Sequence, residues 1–340
     1  MRIAHLIVIA VFFMMAAAAC NKRPDQNKAA SPQNLPSGPY LGGPLPDTTP
    51  QLFAPGLVST GMFTRDMAIS PDGKEIYFCV ALSNYTYATI LFTKEVNGSW
   101  TAPEIVPFSG GPGVFDFEPA FSQDGSRLYF LSTRPDGDEE PGDQDIWYVE
   151  RTSEGWSEPI NPGSPINTDG GEFFPSLTND GTLYFTRNEA GSRLNQIFRS
   201  RYVNGEFMEP ELLPRQVNCG TNRFNAYISP DESYMIVPAA GMEDAYDGVD
   251  YYIVFREKND QWSDPINMGE AVNADNPGGW SPYVSPDGKF FFFMATRTLD
   301  IEEADWNYEK LLSLYNSPNN GKADIYWMST QFFSKLKENN

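Results

Sequence analysis

The side chains of this chain that could do chemistry are carboxylates. Its single histidine, His5, sits in an apolar N-terminal run that reads as an export signal. The mature chain then has no imidazole, and Ser-His, Cys-His and His-metal chemistry are excluded. The acids worth attention stand just ahead of a turn that recurs along the chain: Asp66, Asp116, Glu118 and Glu172, followed by Arg223 and Asn225 and then by Trp280. Three uses compete for them. An acid and a base or nucleophile could flank a glycosidic bond, with Glu118 and Asp66 as candidates and Phe117, Phe174 or Trp280 stacking on the sugar. Asp136, Asp138 and Asp143 could offer oxygen to Ca²⁺, which takes six to eight such ligands, although their spacing matches no EF-hand loop. Or the residues form a binding rim in which rings supply contact area and acids select positive charge. No glycosidase motif is visible. The leading reading is therefore a binding or scaffolding module for a protein, peptide or glycan, with a carboxylate-dependent glycoside hydrolase or lyase as the alternative. No cofactor is firmly implied.

The elements that must position these residues repeat. SPDGKEIYF at 70–78, SQDGSRLYF at 122–130, TNDGTLYF at 178–185, SPDESYMIV at 229–237 and SPDGKFFFF at 285–293 start 52, 56, 51 and 56 residues apart. In each, Pro or Asp presets a tight turn, Gly takes a conformation costly for other residues, and a β-branched or aromatic run follows. That is a hairpin. In the fourth copy Glu232 replaces Gly, so that turn is expected to be the loosest. A second strip follows about 20 residues later: ATILFTKEV, DIWYVERT, QIFRSRYV, DYYIVFRE and DIYWMST. A third reads Trp100-x-x-Pro103, Trp156-x-x-Pro159, Phe207-x-x-Pro210 and Trp262-x-x-Pro265. Counting the strand that leads into each turn, every unit offers four short strands, and such units arranged radially make a β-propeller.

The fifth unit ends at 324–330 and lacks its own fourth strand. From each Pro of the third strip to the next turn is 19, 19, 19 and 20 residues, and Pro50 to Ser70 is 20. The segment 50–60 therefore occupies the place of the missing strand and is expected to close the ring against 324–330. A ring closed by both chain ends has no free sheet edge, and a monomer is expected. The fold class is all-β: a five-bladed propeller over 50–332, with 333–340 as a C-terminal tail. The tryptophans of the third strip read as packing between blades. Arg134, Arg187 and Arg297 recur with the repeat and read as structural, with Arg134 to Asp145 and Arg297 to Asp324 as expected cross-strand pairs. Charge reversal at Asp116, Glu118 and Glu172 is expected to leave the fold intact.

The turn, the apolar strand, the following Ser/Thr-x-Arg and the Asp-Ile-Tyr strand resemble the TolB-type, WD-like β-propeller repeat family over about 50 to 330. That resemblance implies the fold. It leaves function open, since such propellers occur as translocation accessory proteins, peptidase gates, lyases and lipoproteins. TolB propellers commonly have six blades; five are counted here.

The N-terminus reads as a targeting segment: Met1-Arg2, an apolar run from Ile3 to Met15, then Ala16 to Ala19 before Cys20. The run is too short to span a bilayer comfortably. Its end resembles a bacterial lipobox, which implies removal of 1–19, lipidation of Cys20 and attachment to the cell envelope by that anchor alone. Asn21 after the cysteine favours the outer membrane by analogy with the enterobacterial sorting rule. Residues 20–49, with six prolines between 21 and 49 and almost no large apolar residue, read as a flexible tether. Losing Arg2 takes the formal charge from −21 to −22, which argues against nucleic acid and anionic membrane surfaces as partners. Cys79 and Cys219 fall two repeats apart and are not expected to bridge.

Overall fold

The computed structural model describes residues 35–82, 85–136, 142–246, 248–276, 278–299, 301–302 and 306–338. The segment expected to be an export signal, Cys20 and Asp138 lie outside them. Among the described residues, no helix is long and apolar enough to cross a membrane.

Five antiparallel sheets follow one another along the chain, each running from an inner strand at the axis to a short outer one. Blade 1 comprises Phe63–Ile69, Glu75–Leu82, Tyr87–Val96 and Glu104–Ile105. Blade 2 comprises Asp116–Phe121, Arg127–Ser132 and Asp145–Thr152, with its outer position taken by a bridge between Tyr148 and Ile160. Blade 3 is Gly171–Leu177, Leu183–Asn188, Gln196–Ser200 and Glu211–Leu212. In blade 4 the inner strand is broken into Asn222–Arg223 and Tyr227–Ile228, followed by Tyr234–Ala240, Val249–Phe255 and Ile266–Asn267. Blade 5 contains Tyr283–Val284, Phe290–Ala295 and Asp324–Ser329, and its fourth strand is Gln51–Leu52 from the other end of the chain. Gln51 pairs with Trp327 and Leu52 with Tyr326, and Phe53 N donates to Ile325 O at 2.8 Å. The five-bladed ring and its closure are as the repeat spacing predicts.

The turns explain why these residues form hairpins. Ser70 Oγ accepts from the backbone N–H of Lys74 and Glu75 while donating to Asp72 Oδ1, and Gly73 sits at φ 73°. The same side-chain bonding recurs at Ser122 and Asp124, Thr178 and Asp180, and Ser285 and Asp287. The fourth turn is not the loosest. Glu232 adopts φ 57°, and its N–H reaches Ser229 O at 2.8 Å, the length of the Gly73 to Ser70 bond in blade 1. The left-handed conformation is held because the Glu232 carboxylate accepts from Tyr184 Oη of blade 3 and from Arg256. A side chain absent from the glycine turns thus offsets the strain they avoid.

Aromatic side chains pack between blades. Trp156 Nε1 donates to Tyr77 Oη at 3.0 Å across the blade 1–2 boundary, and Phe207 meets Tyr129 edge-on across the next. The third-strip rings are packing, as expected. Of the stretch expected to be a tether, residues 20–34 lie outside the described residues, and residues 35–49 are folded. Tyr40 packs on Phe290 and Trp327, Leu41 is buried, and Trp100 Nε1 donates to Gly38 O at 2.8 Å. The compact body therefore starts at Leu35, not Pro50, because Tyr40, Leu41 and Pro46 pack on it and the carbonyls of Pro36, Gly38 and Asp47 accept hydrogen bonds from Trp100 and Ser329. Likewise Phe332–Glu338 is a helix rather than a tail, with Phe333 buried against Tyr234 and Phe291. Cys79 and Cys219 are buried free thiols.

Closure rests on a strand of two residues, so its strength must come from side chains. Phe53 is fully buried between Phe292 and Trp327, 5.0 and 5.2 Å between ring centroids. Phe53→Ala is expected to cost about 3–5 kcal/mol, read as a lowered urea midpoint with faster amide exchange along 324–329. An unchanged midpoint would show that the ring holds without this ring-to-ring contact.

Candidate functional site

Two consecutive positions at each inner strand, within its break in blade 4 and just ahead of it in blade 5, build the axis. The residues at 66, 118, 174, 225 and 281 recur at 52, 56, 51 and 56, the interval of the turns. Four of them, Asp66, Glu118, Phe174 and Asn225, have left-handed backbone, φ between 43° and 60°. In blades 1 to 3 the strand register slips there, which is a β-bulge. The bulge turns this side chain across the axis. The residue before it, at 65, 117, 173, 224 and 280, faces the mouth formed by the connections between second and third strands.

The axial residues bind one another. Arg65 Nε donates to Asp66 Oδ2 at 2.9 Å, and its Nη2 donates to Glu118 Oε1 at 2.7 Å. Glu118 Oε1 also accepts from Asn225 Nδ2 at 2.9 Å, and Oε2 accepts from Phe174 N at 2.7 Å. Ser281 Oγ donates to Asp66 Oδ1. One polar network thus touches all five blades, and every member is buried. Burial pushes the Glu118 carboxyl up to about 7, against the pull of Arg65 and with the push of Asp66. Burial works against the Arg65 charge, but Asp66 and Glu118 outweigh it and hold its pKa above the ordinary value.

This network separates two cavities. One, about 60 Å³, lies on the side of the Ser-Pro-Asp-Gly turns and is bordered by Asp66, Glu118, Phe174 and a set of prolines including Pro71, Pro119, Pro175 and Pro282. The other, about 350 Å³, opens at the opposite mouth. Its walls are Tyr85, Phe115, Phe117, Phe173, Phe224 and Trp280, and its floor holds Arg65, Glu118 and Asn225, with Gln144 beside them.

The residues expected at one rim are therefore divided three ways. Glu118, Asn225, Phe117 and Trp280 border the mouth cavity. Asp66 and Phe174 border the cavity behind the network. Asp116, Glu172 and Arg223 face into the blades. Asp116 accepts from Arg134 Nη2 and Ser132 Oγ, each at 2.7 Å, and from Gly110 N at 2.8 Å. Glu172 accepts from Thr168 N and Oγ1, with Arg187 Nε 2.8 Å away. Arg223 donates to the carbonyls of Cys219, Asn195 and Gly220.

The recurring arginines are structural, but their partners differ from those expected. Arg134 pairs with Asp116 rather than Asp145: both acids lie opposite Ser132, but Ser132 Oγ accepts from Arg134 Nε and donates to Asp116, which draws the guanidinium to the inner strand. Arg297 lies 4.6 Å over the Tyr326 ring and donates to Ala271 O, while Asp324 accepts from Asn319 N. Asp145 is bonded to Asn161 Nδ2, and burial, with Asp143 nearby, pushes its carboxyl up to about 6. Of the calcium candidates, Asp136 and Asp143 are exposed. Among the described residues, no three carboxylates, cysteines or histidines come together in a group that could hold a metal ion.

The position before the bulge is legible in the sequence: Arg65, Phe117, Phe173, Phe224 and Trp280 lead into the first strand of their units, where a channel rim is expected, at the same intervals of 52, 56, 51 and 56. Tyr85 and Phe115 lie in connections without a repeated spacing and leave no such mark.

No protein-family model and no curated protein matches the chain. Solved structures that resemble it include putative TolB from Agrobacterium tumefaciens, at 15% identity and TM-score 0.47, covering 79% of this chain and 90% of that one. TolB from Acinetobacter baumannii matches at 15% identity and TM-score 0.44, over 79% of this chain. The chain spans about half of that protein's length, 55%. The α-L-arabinofuranosidase PaAbf62A from Podospora anserina, solved with cellotriose, matches at 10% identity and TM-score 0.45, over 84% and 94% of the two chains. The fold assignment rests on the strand pairing, and function on the site itself.

Two outcomes follow. Arg134→Ala leaves Asp116 buried without its counter-charge and is expected to cost about 3–5 kcal/mol of stability, measured by urea unfolding. By the same logic, reversing Asp116 or Glu172 should unfold the protein rather than leave the fold intact. Glu118 titrates higher folded than unfolded, so the folded state holds the extra proton between about 4.5 and about 7. Its contribution to stability is full below that window and is lost as pH rises through it. Glu118→Gln removes the titration. The wild-type melting temperature, referred to that of the variant, should fall between pH 5 and 8, and a flat difference would place the carboxyl in the ordinary range.

Proposed function

We propose that this protein is a binding module of the cell envelope, exported by the N-terminal signal, anchored through lipidated Cys20, and engaging its ligand at the aromatic mouth of the propeller. One observation carries the reading. Four of the five blades deliver a ring to the same position, Phe117, Phe173, Phe224 and Trp280, and these surround a cavity of about 350 Å³ over a polar floor. Apolar walls with a few fixed polar groups are the ordinary composition of a ligand site. The floor is rigid, since its members are bonded across all the blades, and rigidity favours affinity by reducing what must be ordered on binding. Connections at the same end leave Tyr246, Trp306 and Tyr308 more than half exposed, which gives a partner further contact area.

Hydrolysis of a glycosidic bond fits less well. It needs two carboxylates flanking one bond. Glu118 borders both cavities, but Asp66 borders only the one behind the network, away from the Phe117 and Trp280 walls, and both acids are committed to Arg65.

Capture from solubilised envelope, compared between the wild type and a Phe224→Ala, Trp280→Ala double variant, tests the binding reading. The expected result is a bound species, identified by mass spectrometry, that the variant fails to retain while its circular dichroism is unchanged. Equal retention by both would move the site elsewhere.

A further inference from the structure

The mouth cavity, taken as the ligand site, narrows the class of ligand. We propose that it receives a neutral sugar ring, with the ring's C–H faces against the aromatic walls and its hydroxyls on the floor.

The argument starts from charge. A cation entering the cavity would meet the Arg65 guanidinium, which already lies 5.2 Å from the Phe117 ring centroid and occupies the cation–π position. An anion would meet the same guanidinium, but one already compensated by Asp66 and Glu118. The oxygens of Asp66 and Glu118 are already taken by Arg65, Ser281, Asn225 and Phe174 N, so neither sign of charge finds an open partner there, and desolvating an ion without one is costly. The acids that gave the mouth its expected preference for cations are neutralised or turned away: Asp116 by Arg134 and Glu172 by Arg187.

The floor is nonetheless not inert. Asn225 spends its Nδ2 on Glu118, which leaves its Oδ1 to accept, and Arg65 spends Nε and Nη2, which leaves Nη1 to donate. The Gln144 amide stands at the edge with both capacities. Donors and acceptors lie together at one end, with rings around the sides. A fitting ligand is therefore uncharged, carries hydroxyls that both donate and accept, and presents apolar faces. A purely apolar side chain would leave the floor groups desolvated and unmatched, and an extended peptide would not use the walls on all sides. A saccharide ring meets each condition.

The test uses saturation-transfer NMR and calorimetry on the mature chain, with glucose, galactose, arabinose and N-acetylglucosamine and their disaccharides as probes. Galacturonate and glucosamine serve as charged counterparts. At least one neutral sugar should bind, and its charged analogue should bind about tenfold more weakly or worse. Trp280→Ala should abolish that binding and Trp280→Phe should keep most of it, with melting curves verifying that both are folded. Failure of every neutral sugar to bind, or equal binding of charged and neutral forms, overturns the proposal. The wider binding reading is judged separately. If the envelope species depends on Trp280 but is not displaced by saccharides, that reading stands and the sugar falls. If nothing from the envelope is retained and no sugar binds, both fall.

Discussion

A guanidinium on the axis of a ring must be compensated from several directions at once, and the arrangement of this propeller follows from that requirement at Arg65. Its charge is far from water, and the cost of leaving it unpaired there would be several kcal/mol. Asp66 from its own blade and Glu118 from the next supply the counter-charges, and Glu118 is in turn held by Phe174 N and Asn225. Asp66, Glu118, Phe174 and Asn225 all reach the axis from left-handed backbone. The left-handed bulge residue gives up ladder bonds in blades 1 to 3 so that its side chain can cross the axis. Once that is done, the residue before it is committed to the mouth, and the aromatic lining is a corollary of the polar plug.

The same constraint accounts for what the sequence discloses. Turn chemistry is local: Ser, Asp and Gly at fixed offsets bond within six residues, so the five hairpins and their spacing are readable without coordinates. Closure was readable too, because the missing fourth strand of blade 5 leaves a countable interval ahead of Ser70. Pairing among charged side chains is not local. Asp116 and Asp145 both lie opposite Ser132 in the sheet, and only the hydrogen bonding of Ser132, which accepts from Arg134 and donates to Asp116, selects the inner-strand acid. Likewise, nothing in composition separates Glu118, which borders the mouth, from Glu172, which is sealed in its blade. An acidic chain with formal charge −21 thus buries several of its acids against arginines instead of turning them to the mouth.

Repetition in this fold tolerates exceptions where a neighbour supplies a remedy. Glu232 occupies a glycine position and is held there by Arg256 and Tyr184. Asn167, Asn218 and Asn273 each bond both backbone groups of a third-strand residue, Ile146, Ile197 and Tyr251, and so pin the chain as it returns to the axis. Blade 2 replaces a regular outer strand by a single bridge. Each is a local solution to one problem: delivering an inner strand to the axis at a fixed height.

The closing strand also determines how the molecule bears mechanical load. Because Gln51–Leu52 belongs to the N-terminal end, tension applied at Leu35 acts on the very element that completes blade 5. Two pairs of ladder bonds would part in succession under such a pull. The segment ahead of them changes this: Tyr40 on Trp327, Gly38 on Trp100 and Asp47 O on Ser329 N must yield before force arrives at Gln51. Residues 35–49 therefore act as a strain relief, in the way a cable is clamped before its connector. A body held by its N-terminus could be tugged repeatedly while its ring stayed shut.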